Sequence, residues 1–489
     1  MAQSSGKVGS EGLKETFDRA EFRDARGAFS YKVSPDYRFE FRQQGASRPI
    51  AGVRALQYFI GSGAAARTFL LDDGGFLFES PVTYYRQSAS WKASPGFESL
   101  DYPYLTRPVV PGCLQCHASG IQSNTASLNG YRTPPFTENG VACERCHGAG
   151  GDHIAKGAKM VNPAKLAAAE RDSVCAQCHL SGEVRVLKAG KQDRALVPGE
   201  LLKDELTVFV RAGSASDLRV TSHVENLAQS ACMRNSGGKM WCGSCHDPHT
   251  TPQATEKAAY FRGKCLSCHK VQDCHAPAAA RSANGDSCTA CHMPRGPTSD
   301  IQHVVFTDHS IRRRPGVSPT APSRNAELVT YPSYGATTRD LALAYAVVAL
   351  RDHNTADRDR AFRLLKQATA QGMADPQALA YLAEFYRDAK DDANALPLYE
   401  EVWRKDKSQY AAAAALGAYQ MQRGNYDAAI QLWTEALRLN PAMVLVRVNL
   451  ATALLRMGRP AEAKAMLERA LEFNPASREA RELLSRIVR

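Results

Sequence analysis

The chain has 489 residues, of which 44% are hydrophobic and 23% charged, with 14 cysteines and a net charge of +11. That length predicts about three domains and leaves ample chain for sizeable cores. No run of 18 apolar residues is present, so no membrane-crossing helix is expected.

Residues 1–30 are polar and weakly patterned, and Met1 leads into MAQSSGKVGSEGLKETFDRAEFRDARG with no apolar leader. From about 31 to 95 the chain alternates apolar and polar residues. YKVSPDYRFEFRQ, RALQYFIGSG, ARTFLLDDGGFLFES and PVTYYRQSASW read as strands, with Asp-Gly-Gly and Gly-Ser-Gly as turns. Residues 1–95 are therefore expected to form a small, β-rich, antiparallel N-terminal unit whose aromatics fill a core.

Residues 96–310 spell Cys-x-x-Cys-His six times: Cys113, Cys116 and His117; Cys143, Cys146 and His147; Cys175, Cys178 and His179; Cys242, Cys245 and His246; Cys265, Cys268 and His269; Cys288, Cys291 and His292. This is the attachment signature of haem c, in which two thiols bond the porphyrin and the histidine takes one axial position on the iron. Zinc would need cysteine pairs in couples and would leave the trailing histidines unexplained. A thioredoxin-like motif would occur once, in a βαβ setting. Successive first cysteines are 30, 32, 67, 23 and 23 residues apart. That leaves room for loops and short helices wrapped round porphyrins, and the longest gap, with LLKDELTVFVRAGSASDLRVTSH, is expected to hold a strand pair. Cys232 and Cys274 are left over, either as a disulfide or as two separate thiols.

The same region holds six further histidines, His153, His223, His249, His275, His303 and His309, against one, His353, elsewhere outside the motifs. They are candidate distal ligands and predict mostly bis-histidine ligation, with Met233, Met240 or Met293 as alternatives for one iron. His249 follows His246 by three residues and cannot reach the opposite face of the same porphyrin, so it is expected to serve a neighbouring haem. His153, six residues after His147, is expected to do the same. His275 is the weakest candidate, because it follows Cys274 in a short loop.

Residues 311–337 are rich in Pro, Ser and Arg and read as a linker, with Arg312, Arg313 and Arg314 solvated or paired with propionates. After it the period changes. Gly424 and Gly458, Ala429 and Ala463, Ala436 and Ala470, and Pro441 and Pro475 are each 34 residues apart, the tetratricopeptide period. Leu416, Gly417 and Trp433 fall at the small and bulky positions of the last copies, with Leu382, Ala383, Tyr386, Ala395 and Tyr399 one repeat earlier and Ala361, Leu365 and Ala368 before that. Residues 338–489 are expected to form an all-α solenoid of about four repeats, near 342–375, 376–409, 410–443 and 444–477, closed by a helix from Arg478.

The haem region, about residues 100–312, resembles the multihaem cytochrome superfamily that includes cytochrome c-554 of ammonia oxidisers. The resemblance rests on CERCHGAGGDH from Cys143 to His153, CGSCHDPH from Cys242 to His249, CTACHMP from Cys288 to Pro294, and TDHSI around His309. With the solenoid, the chain is similar to bacterial cytochrome–tetratricopeptide fusions of that group, which are exported electron-transfer proteins. The resemblance implies that His153, His249 and His309 are distal ligands and that the protein works outside the cytoplasm, in the periplasm or at the outer surface. Such fusions begin with a signal peptide and one further Cys-x-x-Cys-His. Met1 is therefore expected to be an internal start, with a seventh haem in the full protein.

Nucleic acid is not an expected partner: most of the positive charge lies before residue 338, and the propionates of six haems would cancel it. The expected function is electron transfer through closely packed haems, with the repeats docking a redox partner. The alternative is an oxidoreductase of nitrite or hydroxylamine type at one haem with an open axial position.

Overall fold

The computed structural model describes residues 3–9, 15–47, 49–100, 102–124, 126–213, 218–313, 323 and 325–487. The expected linker arginine Arg314 and the residues through 322 lie outside the described residues. The chain divides into two compact units, one Met1–Ala142 with Thr337–Arg489, the other Cys143–Ala336.

In the first unit, alternation of side chains builds two antiparallel sheets. Phe29, Tyr31 and Val33 are buried from one strand, and Phe39 and Phe41 from its neighbour, while Lys32 and Glu40 face out. Tyr31 stands opposite Phe41 and Val33 opposite Phe39. These strands, Phe29–Val33 and Arg38–Gln43, are the centre of a four-stranded sheet completed by Glu21–Arg23 and Ala51–Ala55. A five-stranded sheet takes Ser5–Lys7, Tyr58–Ile60, Ala66–Asp73, Phe76–Tyr85 and Ser90–Ala93 in that order. The two share one core containing Phe39, Phe41, Phe59, Phe69, Phe78 and Trp91, each such side chain contributing about 1.5–3 kcal/mol by burial. Asp73 pairs with Phe76, so the hairpin loop is Gly74-Gly75, both with positive φ of 61° and 89°. Only glycine adopts that two-residue turn without strain.

The C-terminal part of the same unit is a run of helices. Thr338–Asp352 and Thr355–Ala370 are followed by Pro376–Asp388 and Asp392–Lys405, Tyr410–Gln422 and Tyr426–Leu439, Val444–Arg456 and Pro460–Phe473, and finally Arg478–Ile487. The first helix begins earlier than the 34-residue period suggests, because Thr337 accepts from the Asp340 amide and Asp340 from the Thr337 amide, a reciprocal cap. Trp433 is 1% exposed and donates from Nε1 to the Ala414 carbonyl at 3.0 Å. A Cβ on Gly417 would lie 2.5 Å from that indole nitrogen, so the small residue is what lets the two helices close. Gly424 and Gly458 follow their helices with φ of 78° and 70° and end them in the left-handed region.

These repeats are bound to the sheets. Phe473, 4% exposed, belongs to the sheet core and meets Phe78 edge-on at 5.6 Å. Arg469 pairs with Asp73, and Arg54 donates to the Glu472 carbonyl at 2.9 Å. The Leu128 amide donates to the Leu439 carbonyl at 3.0 Å.

The second unit has little polypeptide core. Its main apolar cluster is Ala176, Leu180, Leu196, Leu202, Leu206 and Val208. From Ala231 to His303 no residue is buried. The long gap between motifs holds the expected strand pair, Val184–Leu187 with Leu206–Arg211, of which only the second lies in LLKDELTVFVRAGSASDLRVTSH. Leu206–Arg211 also pairs with Leu328–Thr330 after it. The expected linker is thus not all connection: Leu328 is buried, and the Tyr331 amide donates to the Val208 carbonyl at 2.8 Å. A short stretch with a buried leucine completed the sheet within a segment whose Pro, Ser and Arg content masked it. Among the described residues no helix is long and apolar enough to cross a membrane.

Candidate haem sites

Each cysteine–histidine motif lies on or beside a helical turn. The second and sixth occupy the short helices Glu144–His147 and Cys288–His292, the third ends the helix Ala168–His179, and the fourth opens with Cys242–Cys245. The first begins at Cys113 inside Pro111–Gln115, and the fifth begins at Cys265 near the end of Lys257–Leu266. One turn places residues three apart on one face, so the two thiols of each pair share a side. The His147, His246 and His269 amides bond back to the carbonyls of Cys143, Cys242 and Cys265 at 2.9, 2.9 and 3.0 Å. That holds each imidazole one turn from its first thiol.

The imidazoles are aimed by their second nitrogen. Nδ1 of His147 pairs with the Val161 carbonyl at 2.7 Å and Nδ1 of His292 with the Arg312 carbonyl at 2.6 Å. His153 and His309 use the carbonyls of Ala158 and Thr307, at 2.8 and 2.9 Å. His249 uses the Asp247 carboxylate at 3.2 Å. A hydrogen bond to Nδ1 fixes the tautomer and presents Nε2, as metal-ligating histidines require. Nδ1 of His117, His179 and His223 is buried without a partner.

The second unit gathers histidines from distant positions. His147 and His249 have ring centroids 5.8 Å apart at 21°, and His246 and His309 are 6.2 Å apart at 30°. Two imidazoles on opposite faces of one metal, each bonded at about 2 Å, put their ring centres roughly 6 Å apart. His223 lies 4.9 Å from His179 and 4.7 Å from His309, both edge-on. Burial, followed by the charges of His309, His179 and His246, lowers the pKa of His223 to about 3. Partial burial likewise lowers His117, His179 and His309, favouring the neutral form that binds metal. His153, His275 and His303 are exposed, and His153 and His275 make no ring contact with a motif histidine among the described residues.

The thiols also meet between motifs. Cys175 and Cys242 hydrogen-bond each other, a contact that, with burial, pushes Cys175 upward, and Cys265 bonds likewise to Cys288. Cys232 lies near Cys245 and Cys265, and both Cys232 and Cys274 are free thiols rather than a disulfide. Among the described residues no three His, Cys, Asp or Glu side chains converge as a zinc site would need. The donor set fits haem c better: paired thiols, neutral imidazoles aimed through Nε2, and a segment around motifs four to six in which no residue is fully buried.

The cytochrome c554 and c-prime family matches residues 89–148, across the first two motifs, and the tetratricopeptide repeat family matches residues 420–487. The chain thus carries one segment similar to cytochrome c554 and c-prime and another similar to tetratricopeptide repeats. The first segment points to haem c and redox chemistry, the second to contact with other proteins. The chain is also 26% identical over 264 residues to the dissimilatory sulfite reductase MccA of Wolinella succinogenes, covering 46% of this chain and 31% of that protein. It thus spans about a third of the length of that curated relative. Among solved structures, a MamA protein is 25% identical over 27% of this chain and 72% of its own, with a TM-score of 0.23. YrrB, a tetratricopeptide protein with an unusual peptide-binding site, is 15% identical over 30% of this chain and 73% of its own, with a TM-score of 0.25.

Sequence reasoning missed the groups that orient the imidazoles. The carbonyls of Val161, Ala158, Thr307 and Arg312 carry no residue-type signature. Asp247, two residues before His249, was the one acceptor with a legible signal.

Proposed function

We propose that this protein is a multihaem electron carrier working outside the cytoplasm, with its repeats docking a redox partner. The observation that carries the reading is the pairing of His147 with His249 and His246 with His309 at near-parallel spacing. When bound, haem supplies one-electron chemistry at its iron. The six cysteine pairs would tether it, and His117, His147, His179, His246, His269 and His292 would each hold one iron through Nε2. His249 and His309 would be the second ligands beside His147 and His246, and His223, too close to His179 to share its iron, would be the second ligand of a neighbouring one. His153, His303 and His275 would be candidates for the rest. Thiol contacts from Cys175 to Cys242 and from Cys265 to Cys288 support close succession of the motifs, which short electron hops need.

The test is maturation of the exported chain, then intact mass, pyridine haemochrome and electron paramagnetic resonance. Six covalent haems with mostly low-spin iron are expected. A colourless chain with the mass of bare polypeptide overturns the reading.

One observation favours a second reading, oxidoreductase chemistry at a haem with an open axial position. Among the described residues, His117, His269 and His292 are in ring contact with no second histidine, and the curated relative is itself a reductase. Carbon monoxide binding by about one iron in six would support it; wholly low-spin spectra would exclude it.

A further inference from the structure

The backbone that directly follows His179 is gripped by residues on both sides of His223. The Gly182 amide donates to the Glu225 carboxylate, and the Gly182 carbonyl accepts from Arg219 Nη1 at 2.8 Å. The other arm of Arg219 pairs with Glu183 at 2.6 Å. Gly182 is therefore held through its nitrogen and its oxygen by a carboxylate and a guanidinium that lie two residues after and four residues before His223.

The grip is itself fixed. Ser222 Oγ accepts from the Arg219 amide at 3.0 Å and donates to the Arg219 carbonyl at 3.0 Å, and Asn226 donates to the same hydroxyl at 3.1 Å. The Asp300 carboxylate accepts from the Val220 amide at 3.2 Å. Glu225 is 5% exposed, and Ser222 and Asn226 are also buried, in a unit that buries few side chains. Gly182 has φ of 57°, and a Cβ there would lie 2.5 Å from the Phe209 carbonyl oxygen. The gripped glycine is thus pressed against the strand Leu206–Arg211 and has no freedom to shift. Charge-assisted bonds to buried backbone, roughly twice as strong as neutral ones, would be a costly way merely to end a short helix.

We propose that Glu225 and Arg219 are positioning residues that hold the His223 imidazole in place beside His179, and thereby set the second ligation of the one iron that His223 serves. This rests on the reading that His223 is a ligand, and goes beyond it by naming what fixes its place. A ligand held by a rigid surround keeps its iron low-spin; one left to a mobile loop does not.

The experiment uses the full, haem-loaded chain and reads spin state, carbon monoxide binding and haem potentials at constant haem count. His223→Ala is expected to turn one iron in six high-spin and able to bind carbon monoxide. The double variant Glu225→Ala, Arg219→Ala is expected to give the same signature at the same iron, in part or in full. Glu225→Gln, whose amide oxygen still accepts from Gly182, is expected to restore the low-spin state when Arg219 is present. A fully loaded double variant with six low-spin irons and unchanged potentials overturns the proposal. If the double variant loses haem, Arg219→Ala alone is read in the same way, and wild-type spectra from it overturn the proposal equally. If His223→Ala itself leaves every iron low-spin, the ligand reading is the part that fails.

Discussion

His249 lies with its ring centroid 5.8 Å from that of His147, although His246 is only three residues away in the chain. The turn from His246 to His249 is too short to encircle a porphyrin, so His249 faces the motif that lies about a hundred residues earlier. Exchange of His249 for alanine should therefore alter the iron held by His147 and leave the iron held by His246 unchanged. About one iron in six should become high-spin, and His249→Met should keep it low-spin at a raised potential. Magnetic circular dichroism with redox titration checks both, and a change at the His246 iron would contradict the pairing.

Loss of the cofactor should unravel one region selectively. No residue from Ala231 to His303 is fully buried, so little polypeptide core offsets their conformational entropy, about 1–2 kcal/mol per residue. Chain produced without haem attachment should be cut by protease first between these residues, while the sheets and repeats persist. Limited proteolysis with mass mapping of the fragments gives the answer.

Glu79 supplies a pH dependence in the first unit. Burial raises its pKa from 4.5 to about 7, against the opposing pull of Arg107 at 3.1 Å and with a smaller push from Glu98. Because the folded pKa is the higher one, the folded state binds the extra proton between those values. The associated stability is fully present below about pH 4.5 and is lost as pH rises through about 7. The shift corresponds to at most about 3 kcal/mol. Glu79→Gln should flatten the profile over that range, measured as melting temperature against pH.

Two aromatic side chains separate the roles of the repeats. Trp433→Ala removes a buried ring and its bond to Ala414, and should cost about 3–5 kcal/mol, read as a lowered urea midpoint of the helical signal. Phe473→Ala should act on sheet and helix together, since Phe473 shares the core of Phe78. Hydrogen exchange should quicken in both Phe76–Tyr85 and Pro460–Phe473, and acceleration in the helix alone would show that the two are not one cooperative body.

Much of this was legible before any coordinates. The 34-residue spacing places Ala429, Trp433 and Ala436 in the core because helix–helix contact demands small and large residues at fixed positions, and the structure buries all three. The alternation of Phe39 and Phe41 with charged residues likewise announces a half-buried strand. What escaped depends on long-range closure. The strand Leu328–Thr330 was hidden in a Pro- and Arg-rich stretch, since three residues carry no period of their own. The seat of Phe473 among the sheets was equally invisible, because nothing local distinguishes a phenylalanine that packs within its own repeat from one that reaches Phe78.

The seat of Phe473 also orders events in time. A side chain near the carboxyl end completes a core begun by residues near the amino end, so that core stays unsealed until almost the whole polypeptide is available. All six cysteine pairs precede Phe473 in the chain, so each has emerged before the last side chain of that core is available.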